Sequence, residues 1–503
     1  MNLALRITQF SKRIKKDDFK LAGFLFGSSI FVVLVQLVYL NLRYNFLLQK
    51  LPLFYTRVWG EPQLVSKETI FLIPALSIVI ALLGFVFFYY MAVKFYKYGT
   101  KLITFIVLFS HVFLTYSLFR VVSISLTTND PLISENYLAL IFPFLVALAV
   151  TLLLAPLYVR LMNKWGIVTD PEAHSHPGML LKTPSARGGG LLFAALFVLI
   201  SLFTVPLTLE VIGVIVLSLV LAFFGLLDDY QNTHPKSPLS FLENPVIRLT
   251  VLFVLVSLLY FFNIRISFLS NPFDGFLHLT GFSFKLGNLV IQPLSWLFTT
   301  VWVVWILNLL SWSNGVDGQY GGIIGISLIF LALLGLRFED ITSIQLGYAQ
   351  LAIIAAGISF GLVGVMWFPS KIMWGFGAMS AGVVVASLST LIQAKVIASI
   401  MILFVPFVDA SVTIVRRLYR GRNPLKGDRG HLHHLLIDQG VSIPKVALFY
   451  WIITLLFGGL SLYSAEKPVI QAVLMILGVA FFAIALVNLR LSRRKSALQE
   501  PEK

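Results

Sequence analysis

The chain has 503 residues, 58% of them hydrophobic and 12% charged, with a formal net charge of +16. A soluble domain carries about 25% charged residues, so this composition, with a mean hydropathy of +0.90, excludes a soluble globular protein and indicates an integral membrane protein. Cysteine is absent, which excludes disulfides, thiolate metal sites and cysteine nucleophiles.

In chain order, the first stretch is a basic leader (Lys12, Arg13, Lys15, Lys16, Lys20) without a small-residue cleavage site. It reads as a retained cytoplasmic segment before a first helix. Apolar runs long enough for one crossing each follow near 22–41, 69–93 and 102–127, then near 137–162, 189–209, 211–227, 246–265, 292–311, 321–336, 346–366, 374–393, 395–416, 445–464 and 467–489. The expected fold is all-α, a polytopic transmembrane helix bundle of about 14 spans. Three spans form an N-terminal membrane extension (1–130), eleven form a membrane core (131–490), and a basic tail occupies 491–503.

The Lys/Arg bias of the short loops places both termini in the cytoplasm, together with the loops at 163–188 and 417–444. The loop 128–136, which lacks Lys and Arg, is external. Loop 42–68, with Arg43, Lys50, Arg57 and Lys67, also comes out external and fits the rule poorly. The basic loops suit anionic headgroups and phosphates better than nucleic acid. In this threading every polar cluster with chemical character falls on the cytoplasmic face, at 169–190, 225–230, 313–322, 369–371 and 429–434.

Asp228 and Asp229 end an apolar run. Adjacent carboxylates at a helix C-terminus oppose the macrodipole and repel each other, which a divalent cation or a shared proton relieves, although a solvated helix end is the plain alternative. Asp317 sits in NGVDGQYGG, where glycines admit a ligand and Asp offers hard-oxygen ligation for Mg²⁺, though N-G and D-G are also ordinary turn dipeptides. Arg187 precedes Gly188, Gly189 and Gly190, a pattern like a phosphate-cradling turn ahead of a helix. Three of the eight histidines, His431, His433 and His434, follow Arg416, Arg417, Arg420, Arg422, Lys426 and Arg429. With no cysteine and no zinc-like His spacing, diphosphate binding suits this loop better than a metal cluster.

Taken together, these motifs resemble those of the polyprenyl-phosphate N-acetylhexosamine-1-phosphate transferases (glycosyltransferase family 4), which include the MraY and WecA types. The resemblance covers roughly 137–465 and rests on GIVTDP with TPSARGGG, GLLDDY, NLLSWSNGVDG, PFVDASVTIVRR and GDRGHLHH. The last motif looks more like the WecA branch.

The resemblance implies transfer of a sugar-1-phosphate from a UDP-sugar such as UDP-N-acetylglucosamine to polyprenyl phosphate, with release of UMP. The place would be the cytoplasmic face of the inner membrane, and the product would start a lipid-linked envelope glycan. Mg²⁺, with Mn²⁺ as the alternative, would rest on Asp228, Asp229 and Asp317, which would also be catalytic. Asn308, Asn314, Arg187, Lys371, Arg429, His431, His433 and His434 would bind substrate. The partners implied are the two substrates and membrane lipid, with no nucleic acid, and family members are often dimers.

There are departures from the family pattern. Ser311 and Asn314 replace an Asn and an Asp, Asn232 stands at the fifth position of the DDxxD string, and Phe376 stands where a metal-binding Asp is expected. Phe376 and Asn314 support an alternative, second to the transferase: a catalytically impaired relative that binds polyprenyl phosphate or nucleotide sugar. A transporter of anionic substrates ranks last, because internal repeats and midplane polar residues are not evident.

Overall fold

The computed structural model describes residues 16–482 apart from 54–59, 94–96, 128–134, 172–182, 235–236, 271–274, 287–288, 338–340, 393–395, 422, 424–428, 466, 468, 477 and 480–481. Residues 1–15, Arg422, Lys426 and the basic tail therefore lie outside the described residues, as do most of loop 128–136 and the middle of loop 163–188.

The chain divides into two compact units, Met1–Phe142 and Pro143–Lys503. The first holds α1 (Lys16–Arg43), α2 (Leu72–Val93), α3 (Lys97–Ile124) and an antiparallel pair, β1 (Lys50–Pro52) with β2 (Leu64–Ser66). Leu40, Leu51, Ile70, Leu118 and Val122 form one buried cluster, and Leu25, Phe88 and Val107 another. Gln36 Nε2 donates to Thr115 Oγ1 at 2.8 Å, an interhelical hydrogen bond that ties α1 to α3 in an apolar setting.

The division falls within α4 (Glu135–Lys164), and the second unit continues from Pro143. Its remaining helices are α5 (Gly189–Thr204), α6 (Leu209–Thr233), α7 (Pro245–Ser257), α8 (Pro293–Trp312), α9 (Gln319–Gly335), α10 (Ser343–Met366), α11 (Ala378–Leu391), α12 (Val396–Ile402), α13 (Phe404–Tyr419), α14 (Leu432–Asp438) and α15 (Ile443–Tyr463). Short antiparallel pairs join β3 (Val168–Thr169) to β4 (Ser185–Ala186), β5 (Phe268–Ser270) to β6 (Phe276–His278), and β7 (Phe284–Leu286) to β8 (Leu289–Ile291).

Helix α11 is the core of this unit. It is buried along nearly its whole length and packs against α5, α6, α8, α9 and α10. Its small residues (Ala378, Ala381, Gly382, Ala386) let five neighbours approach, the usual solution where lipid supplies no hydrophobic drive between helices.

Among the described residues nine helices are long and apolar enough to cross a membrane, or ten if the bent pair α12 and α13 is one span. Helices α5, α9 and α11 are apolar but shorter. The all-α polytopic bundle is therefore as expected, and each expected run up to residue 464 corresponds to a helix. The run at 467–489 lies partly outside the described residues. The run at 395–416 differs in kind, because it bends by 93° at Leu403. Pro406 lies in the first turn of α13, where no N–H is needed; one turn further into a continuous helix it would have clashed with the preceding backbone.

Candidate functional site

Three backbone arrangements build the site. First, segment 371–374 runs alongside 186–190. Ala186 and Ile372 form a parallel bridge, and Met373 N donates to Ala186 O at 2.8 Å. Gly189 N and Gly190 N donate to the carbonyls of Met373 and Trp374 at 3.0 and 3.3 Å. This corrects the phosphate-cradle reading of the glycines after Arg187, because the N–H groups that open α5 are already consumed by the chain itself.

Second, Gly190, Gly225 and Gly377 meet backbone to backbone. A Cβ on Gly190 or Gly225 would overlap the Gly377 main chain, so the loop carrying Phe376 can sink between α5 and α6. Gly375 adopts φ +61, in the left-handed region that glycine enters without strain. Its backbone abuts the Asp229 carboxylate.

Third, α6 runs past the aspartates to Thr233, beyond the expected end near 227. The Asn232 and Thr233 side chains bond back to the carbonyls of Asp228 (2.8 Å) and Asp229 (3.1 Å).

The two adjacent carboxylates are buried, 2% and 0% exposed at the side chain. Asp228 Oδ1 forms an ion pair with Arg248 Nη2 at 2.6 Å, and its Oδ2 accepts from Asn232 Nδ2 at 2.7 Å. Asp229 Oδ1 accepts from Arg187 Nη1 at 3.2 Å and from the Phe376 backbone N–H at 3.1 Å. Arg187 also donates Nε–H to Thr169 Oγ1. The Arg248 guanidinium lies over the Phe376 ring, 5.2 Å from its centroid, a cation–π arrangement.

Asp317 is half-buried and accepts from Ser370 N at 3.0 Å. Burial raises its pKa above the usual carboxylate value, partly offset by the Ser370 hydrogen bonds. Asn314 Nδ2 reaches Gly375 O at 3.3 Å, which links this loop to the aspartate pair.

The histidine loop joins the same network through Gly315, whose Cα packs on the His433 ring. His431 Nδ1 lies 2.9 Å from Asp409 Oδ2, and Leu432 N donates to Asp409 Oδ1 at 2.9 Å. The Nδ1 atoms of His433 and His434 are buried without a hydrogen-bond partner. Burial, reinforced by the neighbouring His434, His431 and Arg429, pushes His433 well below the ordinary imidazole value. Burial followed by the Arg429 charge lowers His434 to about 4.

Asp228, Asp229, Asp317, Asn314, Arg187, His431, His433 and His434 therefore stand in one connected network. The side chains of Asn308 and Lys371 show no such link, whereas Arg429 acts on the network through its charge beside His433 and His434. Asn308 Nδ2 bonds back to Val304 O at 2.8 Å, Lys371 is exposed, and Arg429 pairs with Asp438 at 2.9 Å. Arg248 was not singled out from sequence, and Asp409 entered there only within the PFVDASVTIVRR motif, without a role of its own. Arg248 is a lone charge in an otherwise apolar run, and that signal marks function by default in a membrane helix.

The donor set does not fit a resident divalent ion. Three oxygens of the aspartate pair have protein partners, and the fourth, Asp229 Oδ2, is buried without a hydrogen-bond partner. Asp317 is bonded away to Ser370. Among the described residues no group of three His, Asp or Glu side chains is placed to hold a metal ion.

Fold and site together define a polytopic helical membrane protein with a compact site of buried carboxylates, arginines and histidines gathered from separate loops. Residues 211–393 match the family model of glycosyl transferase family 4. The chain is 26% identical over 333 residues to a Bacillus subtilis protein named "Probable undecaprenyl-phosphate N-acetylglucosaminyl 1-phosphate transferase", a match covering 65% of this chain and 85% of that one. A Mycobacterium leprae decaprenyl-phosphate N-acetylglucosaminephosphotransferase is 27% identical over 199 residues, 35% of this chain and 50% of the relative. An Escherichia coli K12 undecaprenyl-phosphate alpha-N-acetylglucosaminyl 1-phosphate transferase is 28% identical over 171 residues, 32% and 46% of the two chains. The chain thus spans about half the length of the last two relatives.

Proposed function

We propose that this protein transfers N-acetylhexosamine-1-phosphate from a UDP-sugar to a polyprenyl phosphate at the cytoplasmic face of the inner membrane, and so starts a lipid-linked envelope glycan. The observation that supports it best is the connected network running from Thr169 through Arg187, Asp229, Gly375, Asn314 and Gly315 to His433. It sets anion-binding groups beside carboxylates at the ends of apolar helices, where a lipid phosphate and a soluble nucleotide can meet.

In the reaction a polyprenyl phosphate oxygen attacks the sugar-bearing phosphorus of the UDP-sugar. A new phosphoanhydride bond forms, the bond between the two phosphates of the donor breaks, and UMP leaves with the bonding pair. The attacking phosphate is already an anion near neutral pH, so no strong base is required. Catalysis is then positioning and charge neutralisation. The unpartnered Nδ1 atoms of His433 and His434 suit donor phosphate oxygens, and Arg187 and Arg248 suit the phosphate charge beside the aspartates.

A second reading, a relative that binds the lipid phosphate or nucleotide sugar without turnover, is favoured by Phe376 in place of a carboxylate. The test is UMP release by purified protein in detergent with undecaprenyl phosphate and a panel of UDP-sugars. Lipid-dependent UMP supports the transferase. No UMP from protein that still binds either ligand turns the assignment to the binder.

A further inference from the structure

We infer that this centre is neutralised by two arginines, Arg187 and Arg248, in place of a divalent cation, and that Phe376 holds one of them there. The inference rests on the proposed phosphate-transfer reading only for what the arginines meet; the charge balance itself does not depend on it.

Two negative carboxylates, Asp228 and Asp229, face two guanidinium groups at 2.6 and 3.2 Å. The pair is balanced without a further cation. The carboxylates are buried, whereas the side chains of Arg187 and Arg248 are 22% and 25% exposed. An approaching ion therefore meets the guanidinium groups first. That surface repels Mg²⁺ and attracts a phosphate, which a planar guanidinium binds through paired N–H groups.

Phe376 completes the arrangement. Its backbone N–H bonds Asp229 Oδ1, its ring lies beneath Arg248, and Phe224 packs edge-on against it, ring centroids 5.8 Å apart. At the position where the family resemblance calls for a metal-binding Asp, the side chain is a cation–π platform for an arginine. The side chain at this position thus supports an arginine and offers no oxygen to an ion.

The experiment is a Mn²⁺ titration of the purified full chain followed by electron paramagnetic resonance, run on wild type, Asp229→Asn and Phe376→Asp, with UMP release measured in parallel in excess EDTA. The expected result is no stoichiometric Mn²⁺ on wild type and a UMP rate that changes less than about twofold in EDTA. Appearance of a bound Mn²⁺ in Phe376→Asp would further support that role of Phe376. A stoichiometric Mn²⁺ on wild type that Asp229→Asn removes overturns the inference, as does turnover abolished by EDTA and restored by Mg²⁺. Absence of UMP under every condition defeats the transferase reading alone, because the Mn²⁺ signal still decides how the aspartates are neutralised.

Discussion

Asp409 grips the histidine loop at two points, His431 Nδ1 at 2.9 Å and the Leu432 backbone N–H at 2.9 Å, across 22 and 23 residues of sequence. It thereby sets the His431 ring orientation and starts α14. A carboxylate on Nδ1 directs Nε2 outward, the usual way a second residue fixes which imidazole nitrogen meets a ligand.

Asp409→Ala should therefore act through the loop. Two buried hydrogen bonds are lost, each worth about 1–3 kcal/mol when one partner is left unsatisfied. Nucleotide-sugar affinity is expected to fall about 10–100-fold, with lipid phosphate affinity changed less than about threefold. Isothermal titration of each ligand in detergent checks this, and equal losses for both would defeat it.

Gly315 and His433 form a second coupled pair. A methyl group at Gly315 would overlap the His433 ring, so Gly315→Ala should displace the imidazole at a cost of about 1–3 kcal/mol. His433→Ala, which should itself weaken nucleotide-sugar binding more than lipid binding, removes the obstacle. The double variant should then bind nucleotide sugar no worse than His433→Ala alone. Strict additivity in the double-mutant cycle would show that the two positions do not communicate.

Asp229→Asn keeps the shape of the side chain and an oxygen for the Phe376 N–H, but removes the charge that faces Arg187. Expression and thermal stability in detergent should stay close to wild type, while UMP release drops about 100-fold or more. Wild-type turnover in this variant would remove Asp229 from the site.

Much of this was legible in the sequence, and for identifiable reasons. The spans follow from runs of apolar side chains that no soluble fold would tolerate, and Asp229, Asn314, His431 and His433 lie in motifs whose order is specific. What was hidden is the pairing between distant segments. The glycines after Arg187 read as a phosphate cradle because their N–H groups are free in any local view. Only the parallel run against 371–374 shows where those donors go. The expected end of α6 near 227 failed because apolar periodicity stops at the aspartates, whereas the helix is carried on by Asn232 and Thr233 bonding back to its carbonyls. Arg248 escaped notice because a lone charge in an apolar run has no motif around it, and its partner lies many residues away. Asp409 lies in the PFVDASVTIVRR motif, but its grip on His431, 22 residues on, is not visible in the sequence.

The close approach of Gly225 to Gly377 gives a prediction about architecture. Gly225→Ala puts a methyl group into the Gly377 backbone, and backbone cannot rotate aside. The loop must lift, which weakens the Phe376 N–H bond to Asp229. A stability loss of about 1–3 kcal/mol is expected in thermal unfolding, with reduced UMP release. An unchanged melting temperature would show that the loop has room to spare.

The buried histidines set the pH response. His434 is lowered to about 4 and His433 well below its ordinary value, both chiefly by burial. The native loop therefore holds them neutral, while in the opened chain each protonates near the ordinary imidazole value of about 6.5. Between those values the opened state binds protons that the native state does not, so stability is complete above about pH 6.5 and declines as pH falls toward 4. Hydrogen exchange of the α14 amides should accelerate between pH 7 and pH 5, after correction for the intrinsic pH dependence of exchange. His434→Gln, which cannot protonate, should flatten part of that slope, and an unaltered slope in this variant would mean that other groups carry the response.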